Sequence, residues 1–200
     1  MSKLDLASER KNQIVSATVE CITRFGYQNF SMQDVAKAAG VSKGIIHYYF
    51  LNKDDLMLSV LERVIQGIEN ILQSNLEGLE DPVKKLKIFI ELCADIVKNT
   101  KEYYQVSMDF WTQITQKSEV KEIISTHYER SRETCRNIIE EGIVQGVFKE
   151  INAHDYSLFI IASIDGMSLQ WLFDKDSCHY DQLVSHSCRW LLAPLLVEGC

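Results

Sequence analysis

Residues 31–53 read SMQDVAKAAGVSKGIIHYYFLNK, and their pattern predicts two short helices around a tight turn. Val35, Ala36 and Ala39 precede Gly40, and Val41, Ile46 and Phe50 follow it, a spacing that lets two helices share one small apolar seam. Ser31 opens the first helix with Asp34 in the capping-box position, where Glu is the stronger choice. Gly40 supplies the positive φ of a sharp interhelical turn, and Ser42 caps the second helix. That second helix carries Lys43, His47, Tyr48 and Tyr49, side chains suited to phosphates and base edges. The outline is a helix-turn-helix built to read DNA.

Upstream, from about Ala7 to Phe25, the residues Ile14, Ala17, Cys21, Ile22 and Phe25 recur at three- and four-residue steps, with Arg10, Lys11, Glu20 and Arg24 on other faces. This predicts an amphipathic first helix ended by Gly26. Three helices would then enclose Phe25, Phe30, Val35, Ile46 and Phe50 in a head too small to be very stable alone. Downstream, Asn52 caps a helix whose first turn holds Asp54 and Asp55, the charges favoured at the positive end of the macrodipole. Its apolar residues continue through Ile65 to Leu72, predicting a connector to about Asn75, on the order of 35 Å long at 1.5 Å per residue.

Asp81 and Pro82 mark a fresh start as N-cap and first helical residue, and the segment to Lys98 places Leu86, Phe89, Ile90, Cys93 and Val97 on one stripe. Residues 100–115 predict a short aromatic-rich helix, and residues 118–145 a long amphipathic one closed by Gly146. Asn152 then caps a helix running through SLFIIASIDGMSLQWLF (residues 157–173), which is apolar on nearly every side and needs partners all round. The last helix is expected over residues 180–196. The expectation is an all-α protein of about nine helices: a head with the helix-turn-helix at residues 1–52, and a larger helical domain at 53–200.

Two prolines and nine glycines in two hundred residues suit that reading. The formal net charge of −7 speaks against DNA only until it is located. Residues 1–60 hold seven Lys or Arg against six Asp or Glu, net +1, and the remainder holds fourteen against twenty-two, net −8. A head so close to neutral binds DNA weakly as a single copy, so two copies acting together are expected. The N-terminus, MSKLDLASERK, lacks the apolar region of a signal peptide, and no run of about eighteen apolar residues occurs. A cytoplasmic protein with no membrane partner is expected. Cys21, Cys93, Cys135, Cys178, Cys188 and Cys200 form no CxxC pair, so free thiols are expected. Cys21 and Cys93 read as buried filler, while exposure stays open for Cys178, Cys188 and Cys200.

The chain resembles the TetR/AcrR family of transcriptional regulators. The likeness is strongest over residues 10–58, in Phe25 and Gly26, Ser31, Val35 and Ala36, Ala39 through Gly44, then Tyr48, Tyr49, Phe50, Lys53 and Leu56. Ile46 and His47 stand where the family usually has Leu and Tyr. Later residues are similar in layout, with IDGMSLQWL (residues 164–172) the most family-like string. The resemblance implies a repressor that binds palindromic double-stranded operator DNA as a homodimer and leaves it when a small-molecule effector binds. It implies that Ser31 and Ser42 serve phosphates, Lys43 and Gly44 approach base edges, and Tyr48, Tyr49 and Lys53 meet further phosphates, with Gln33 and His47 completing the DNA-binding set. Tyr49 reads equally well as core, whereas Lys53 is expected on the surface.

For the larger domain the resemblance implies dimerisation through the last two helices and an effector bound inside. The dimer candidates are Ile160, Ile164, Gly166, Trp190, Leu191 and Leu195. The pocket candidates are Phe89, Cys93, Tyr103, Tyr104 and Met108, together with Trp111, Tyr128, Phe159, Met167 and Trp171, each aromatic also readable as ordinary core. No cluster of charge stands out, so the effector is expected to be largely apolar or aromatic.

Two other readings stay open, a ligand-independent DNA-binding protein and an all-helical small-molecule enzyme. The second finds no nucleophile beside a base: His154 with Asp155, Asp165 and Cys135 are each isolated, so no catalytic residue or cofactor is assigned and no enzyme is expected. Cys178, His179, His186 and Cys188 are the best metal candidates, but His186 and Cys188 lie about 200° apart around a helix and cannot chelate together. No metal is assigned.

Overall fold

A computed structural model describes residues 3–26, 29–99, 117–176 and 179–197. Among these, eight helices form and no strand: α1 (Lys3–Phe25), α2 (Met32–Ala38), α3 (Lys43–Tyr49), α4 (Lys53–Leu76), α5 (Pro82–Asn99), α6 (Ser118–Val144), α7 (Ala153–Phe173) and α8 (Tyr180–Leu192). The protein is all-α, as its composition predicts. The helix expected over residues 100–115 lies outside the described residues, and with it Tyr103, Tyr104, Met108 and Trp111. The chain divides into two compact units, Met1–Gly67 with Thr100–Ile124 and Ile68–Asn99 with Ser125–Cys200. α4 and α6 each begin in the first and end in the second.

The first unit is closed by Ile14, Val15, Ala17, Cys21 and Ile22 of α1, Val35 and Ala36 of α2, and Ile46 of α3, with Phe30, Phe50 and Val120. Leu56, Met57, Val60 and Leu61 of α4 complete this core, so the small head leans on the helix that follows it. Gln13 Nε2 donates to the carbonyl of Ala39 at 2.8 Å, tying α1 to the interhelical turn. Phe25, expected inside, is 40% exposed. It is the last residue of α1, and the guanidinium of Arg24 covers its ring at 5.1 Å; Phe30 is the aromatic that reaches the core.

In the second unit α5 packs on α7 and α8, and its Leu86, Phe89, Ile90 and Ala94 are buried. Asp81 Oδ1 accepts from the backbone N–H groups of Val83 and Lys84, the cap its sequence position implies. α7 is capped by Asn152, whose Oδ1 accepts from Asp155 N, and it buries Ala153, Ser157, Ile160, Ile164 and Ser168. α8 stops at Leu192 and does not continue to 196, because Pro194 has no N–H to donate and its ring crowds the preceding turn. The chain instead forms a β-bridge between Phe148 and Leu196, flanked by Lys149 N–H to Leu195 O at 2.7 Å. Phe148 lies so close to Gly142 that a Cβ there would meet its ring at 2.0 Å.

Candidate nucleic-acid interface and effector site

The head's polar groups are set by two capped helix starts. Ser31 Oγ accepts from Asp34 N, while Asp34 Oδ2 accepts from Ser31 N at 2.9 Å and from Ser31 Oγ at 2.6 Å. The capping box is therefore complete with Asp in the place of Glu. These hydrogen bonds hold the Asp34 carboxyl below its ordinary range. They also commit the Ser31 hydroxyl proton to Asp34 rather than to a phosphate. Gly40, at φ 63°, turns the chain, and Ser42 Oγ accepts from Ile45 N to start α3.

On α3 the apolar side is Ile46, with Phe50 after it, both fully buried. Ser42, Lys43, Gly44 and His47 stand exposed, and Tyr48 is 82% exposed. Gln33 is exposed on the first turn of α2. Tyr49 is half-buried against the core and meets Tyr48 edge-on at 5.1 Å, so of its two readings the packing one describes its position. Among the described residues a Cβ on Gly44 would meet nothing nearer than Ser42 Oγ at 3.7 Å, so none of them requires glycine there. Ile45, which the apolar repeat did not single out, is 39% exposed beside this face, and Leu51 just beyond it is almost wholly exposed.

Lys53 departs from its expected place on the surface. It is half-buried, its Nζ donating to the carbonyl of Phe30 at 2.9 Å and lying 3.8 Å from that residue's ring centroid. Burial lowers its pKa, against the pull of Asp54.

In the second unit Phe89 is fully buried, and Cys93, Tyr128, Met167 and Trp171 are half-buried. They bring along two residues that the pocket reading missed. Asp165 accepts a hydrogen bond from the Tyr128 side chain, and burial pushes its carboxyl above the ordinary range despite that bond. Burial, with Asp165 adding, pushes the Cys93 thiol up to about 12, so this is no reactive thiolate. Tyr180 lies against Trp171 with ring centroids 4.7 Å apart, donates its hydroxyl to Ala94 O at 2.9 Å and pairs with Ser168 Oγ at 3.0 Å. Phe159, by contrast, is 57% exposed and belongs to no interior site of this chain.

A separate groove of about 540 Å³ between α4 and α6, lined by Glu69, Leu72, Arg130 and Thr134 among others, contains none of the predicted pocket residues. At its edge Arg130 bonds Glu69 at 3.0 Å and His127 Nδ1 stands 3.6 Å from the same carboxylate.

Residues 14–60 match the model for bacterial regulatory proteins of the tetR family, and residues 82–195 match that for the C-terminal part of BetI-type transcriptional repressors. The chain belongs to the TetR family. It is 25% identical to the HTH-type transcriptional regulator BetI 2 of Chromohalobacter salexigens, over 93% of this chain and 94% of that one. HbdR, an HTH-type transcriptional regulator of Aromatoleum sp., is 36% identical over 40% of this chain and 35% of its own length, so the chain spans about a third of that relative. A crystal structure from Saccharomonospora viridis, described as a transcriptional regulator in complex with choline, aligns with TM-score 0.85 at 26% identity, over 96% of this chain and 100% of that one.

In this TetR-family chain the dimer candidates are divided by the fold. Ile160, Ile164, Leu191 and Leu195 are buried within the single chain and offer no surface to a partner, contrary to expectation. Gly166 is half-buried, and Trp190 is 58% exposed with His186 at 5.6 Å. The large outward apolar residues of α7 are Leu158, Phe159 and Phe173. By length and composition α7 is also the one described helix that could cross a membrane, with 22% of it buried. Cys188 is buried, its thiol pushed up to about 11 by burial, while His186 is exposed, so the two face opposite ways. Cys178 and Cys200 lie outside the described residues.

Proposed function

We propose that the chain is a cytoplasmic repressor that binds a palindromic DNA operator as a homodimer and releases it when a small organic cation binds within the second unit. The DNA reading rests on α3: a capped helix whose inner side is fully buried and whose outer side presents Lys43, Gly44, His47 and Tyr48. The open space at Gly44 supports it, since a bare backbone there lets the helix approach a base edge closely. Residues 1–52 serve as the DNA-binding part and 53–200 as the effector and dimer part.

Homodimerisation is supported by the outer face of α7 and α8, where Leu158, Phe159, Phe173 and Trp190 are exposed together with a helix that is apolar on both sides. A near-neutral head needs two half-sites to bind tightly, and a two-fold dimer supplies them about one DNA turn apart, roughly 34 to 36 Å.

Asp165 narrows the effector. A carboxylate held partly out of water beside Tyr128, with Trp171 and Tyr180 in the same unit, suits a cation with an apolar body better than a neutral hydrocarbon. The choline held by the Saccharomonospora viridis protein is a ligand of this chemistry. Binding of effector and operator is reciprocal, so each must weaken the other by the same factor.

Selection of bound duplexes from a random pool tests the first part. A palindrome with half-sites one turn apart is expected, and binding without sequence preference would point to an architectural DNA-binding protein instead. Calorimetric titration of choline chloride into the protein, alone and with the selected duplex, tests the second. Equal affinities in the two titrations would overturn release by the effector.

A further inference from the structure

The outer surface of α3 has two unlike edges. At about 100° per residue, Gly44 stands at the middle of the side turned away from Ile46, with Lys43 and His47 to one side of it and Ile45 and Tyr48 to the other. The first pair is polar and exposed. The second sets an aliphatic side chain beside an exposed ring. α3 has two aliphatic residues, and they part company: Ile46 is fully buried in the floor of the head, whereas Ile45 is 39% exposed next to Gly44.

Ile45 is also held in place. Its N–H donates to Ser42 Oγ at 3.3 Å and to the Ser42 carbonyl at 3.0 Å, so the cap of α3 fixes its backbone. A β-branched side chain in a helix has one strongly preferred χ1 rotamer, so little freedom is lost when it meets a partner. In the major groove every base pair presents donors and acceptors, but the apolar group on offer is the C5 methyl of thymine. An isoleucine pressed against a cytosine amino group or a guanine oxygen would strip that atom of water and return no hydrogen bond. Against the methyl group it removes apolar surface from water on both partners. We propose that Ile45 is a specificity-determining residue, which selects thymine at one position of each operator half-site through the thymine methyl group. This rests on the DNA-binding reading above.

Deoxyuridine isolates that contact, because it keeps every hydrogen-bonding group of thymine and lacks only the methyl. In a duplex selected from a random pool by the wild-type protein, each thymine is replaced in turn by deoxyuridine and the affinity is measured. At one thymine of each half-site the replacement should weaken wild-type binding roughly fourfold. Ile45→Ala should bind the thymine and deoxyuridine duplexes equally well. Ile45→Val keeps the stiff rotamer with one carbon fewer, and its deoxyuridine penalty should fall between the two; it carries the test if the alanine variant does not fold. Selected half-sites without a fixed thymine, or a wild-type protein indifferent to deoxyuridine at every thymine, would overturn the proposal. So would an Ile45→Ala protein that keeps the full penalty, which would give the methyl contact to another side chain, or one that binds both duplexes more weakly by the same factor with the penalty intact, which is the mark of packing on sugars. If the wild-type protein binds no duplex, the DNA-binding reading fails and this proposal with it, whereas tight binding that ignores the methyl defeats the proposal alone.

Discussion

In the head the chemistry faces outward: Lys43, His47 and Tyr48 stand in solvent above a floor of Ile46 and Phe50. In the second unit much of it faces inward, with Asp165, Tyr128 and Cys93 partly withdrawn from water and the Tyr180 hydroxyl buried on Ala94 O, while large apolar side chains such as Phe159 and Trp190 stand outside. A DNA reader has to keep its charges hydrated until they meet phosphate, and its stability is carried by other residues. An effector site works through desolvated groups, so its residues bear on stability and binding together. Mutations should separate the two regions accordingly.

The largest effect is expected on the outer face of the second unit. Phe159→Glu with Trp190→Glu should convert the dimer to a monomer by analytical ultracentrifugation and weaken operator binding by more than about a hundredfold, since buried aromatics dominate interface energies. A dimer that survives at micromolar concentration would move the interface elsewhere. Ile160→Ala is the control from the buried side of the same helix: it should lower folding stability by about 2–5 kcal/mol through a core cavity, visible in chemical denaturation. In the head, Lys43→Ala should weaken operator binding by about 1–3 kcal/mol with the melting temperature and dimer unchanged. Loss of the dimer instead would show that Lys43 belongs to another surface.

These contrasts also explain what the sequence disclosed. The head was legible because its apolar residues fall on one side of each short helix, so Val35, Ala36 and Ile46 could be placed inside and Lys43 and Tyr48 outside without knowing their neighbours. α7 was legible as a helix but not in its orientation. Both its sides are apolar, and its inner stripe includes Ser157 and Ser168. The larger Phe159, the residue hydrophobicity would choose for the interior, points out. Small serines inside let neighbouring helices approach, a property of packing that no local pattern displays. Asp165 looked isolated because its partner Tyr128 is on another helix, and Tyr180 finds its acceptor on Ala94, eighty-six positions away. Lys53 failed for the same reason: nothing local announces that a lysine opening a helix will fold back over Phe30.

Asp165→Asn sharpens the comparison from the inside. Burial raises the carboxyl's pKa in the folded protein above its unfolded value, so the folded state takes up the proton more readily. The ionised form therefore destabilises the fold at neutral pH, and the penalty is relieved as pH falls through the folded pKa towards the unfolded one. Asn cannot ionise. The variant should melt above the parent at neutral pH, with the gap narrowing as pH falls through the folded pKa, and should bind choline roughly tenfold more weakly, about 1.4 kcal/mol. A gap that does not change with pH would mean that Asp165 is not shifted in the folded state.

The smallest effect is expected at Ser31, where it tests whether the head's outward polar groups all serve DNA. Ser31 Oγ takes a hydrogen bond from Asp34 N and gives its own proton to Asp34 Oδ2. Ser31→Ala removes both and leaves Asp34 N–H only the Ser31 backbone carbonyl at 3.0 Å, which should lower stability by about 1 kcal/mol in denaturant unfolding. Because the hydroxyl is already committed within the capping box, operator affinity should fall far less than in Lys43→Ala. Ser31→Asn, which keeps a capping oxygen but no hydroxyl, should recover most of the lost stability. If Ser31→Ala instead kept its stability and lost operator binding to the extent of Lys43→Ala, the hydroxyl would have to leave Asp34 for a phosphate when DNA is present. The capping box would then be a feature of the unbound head only.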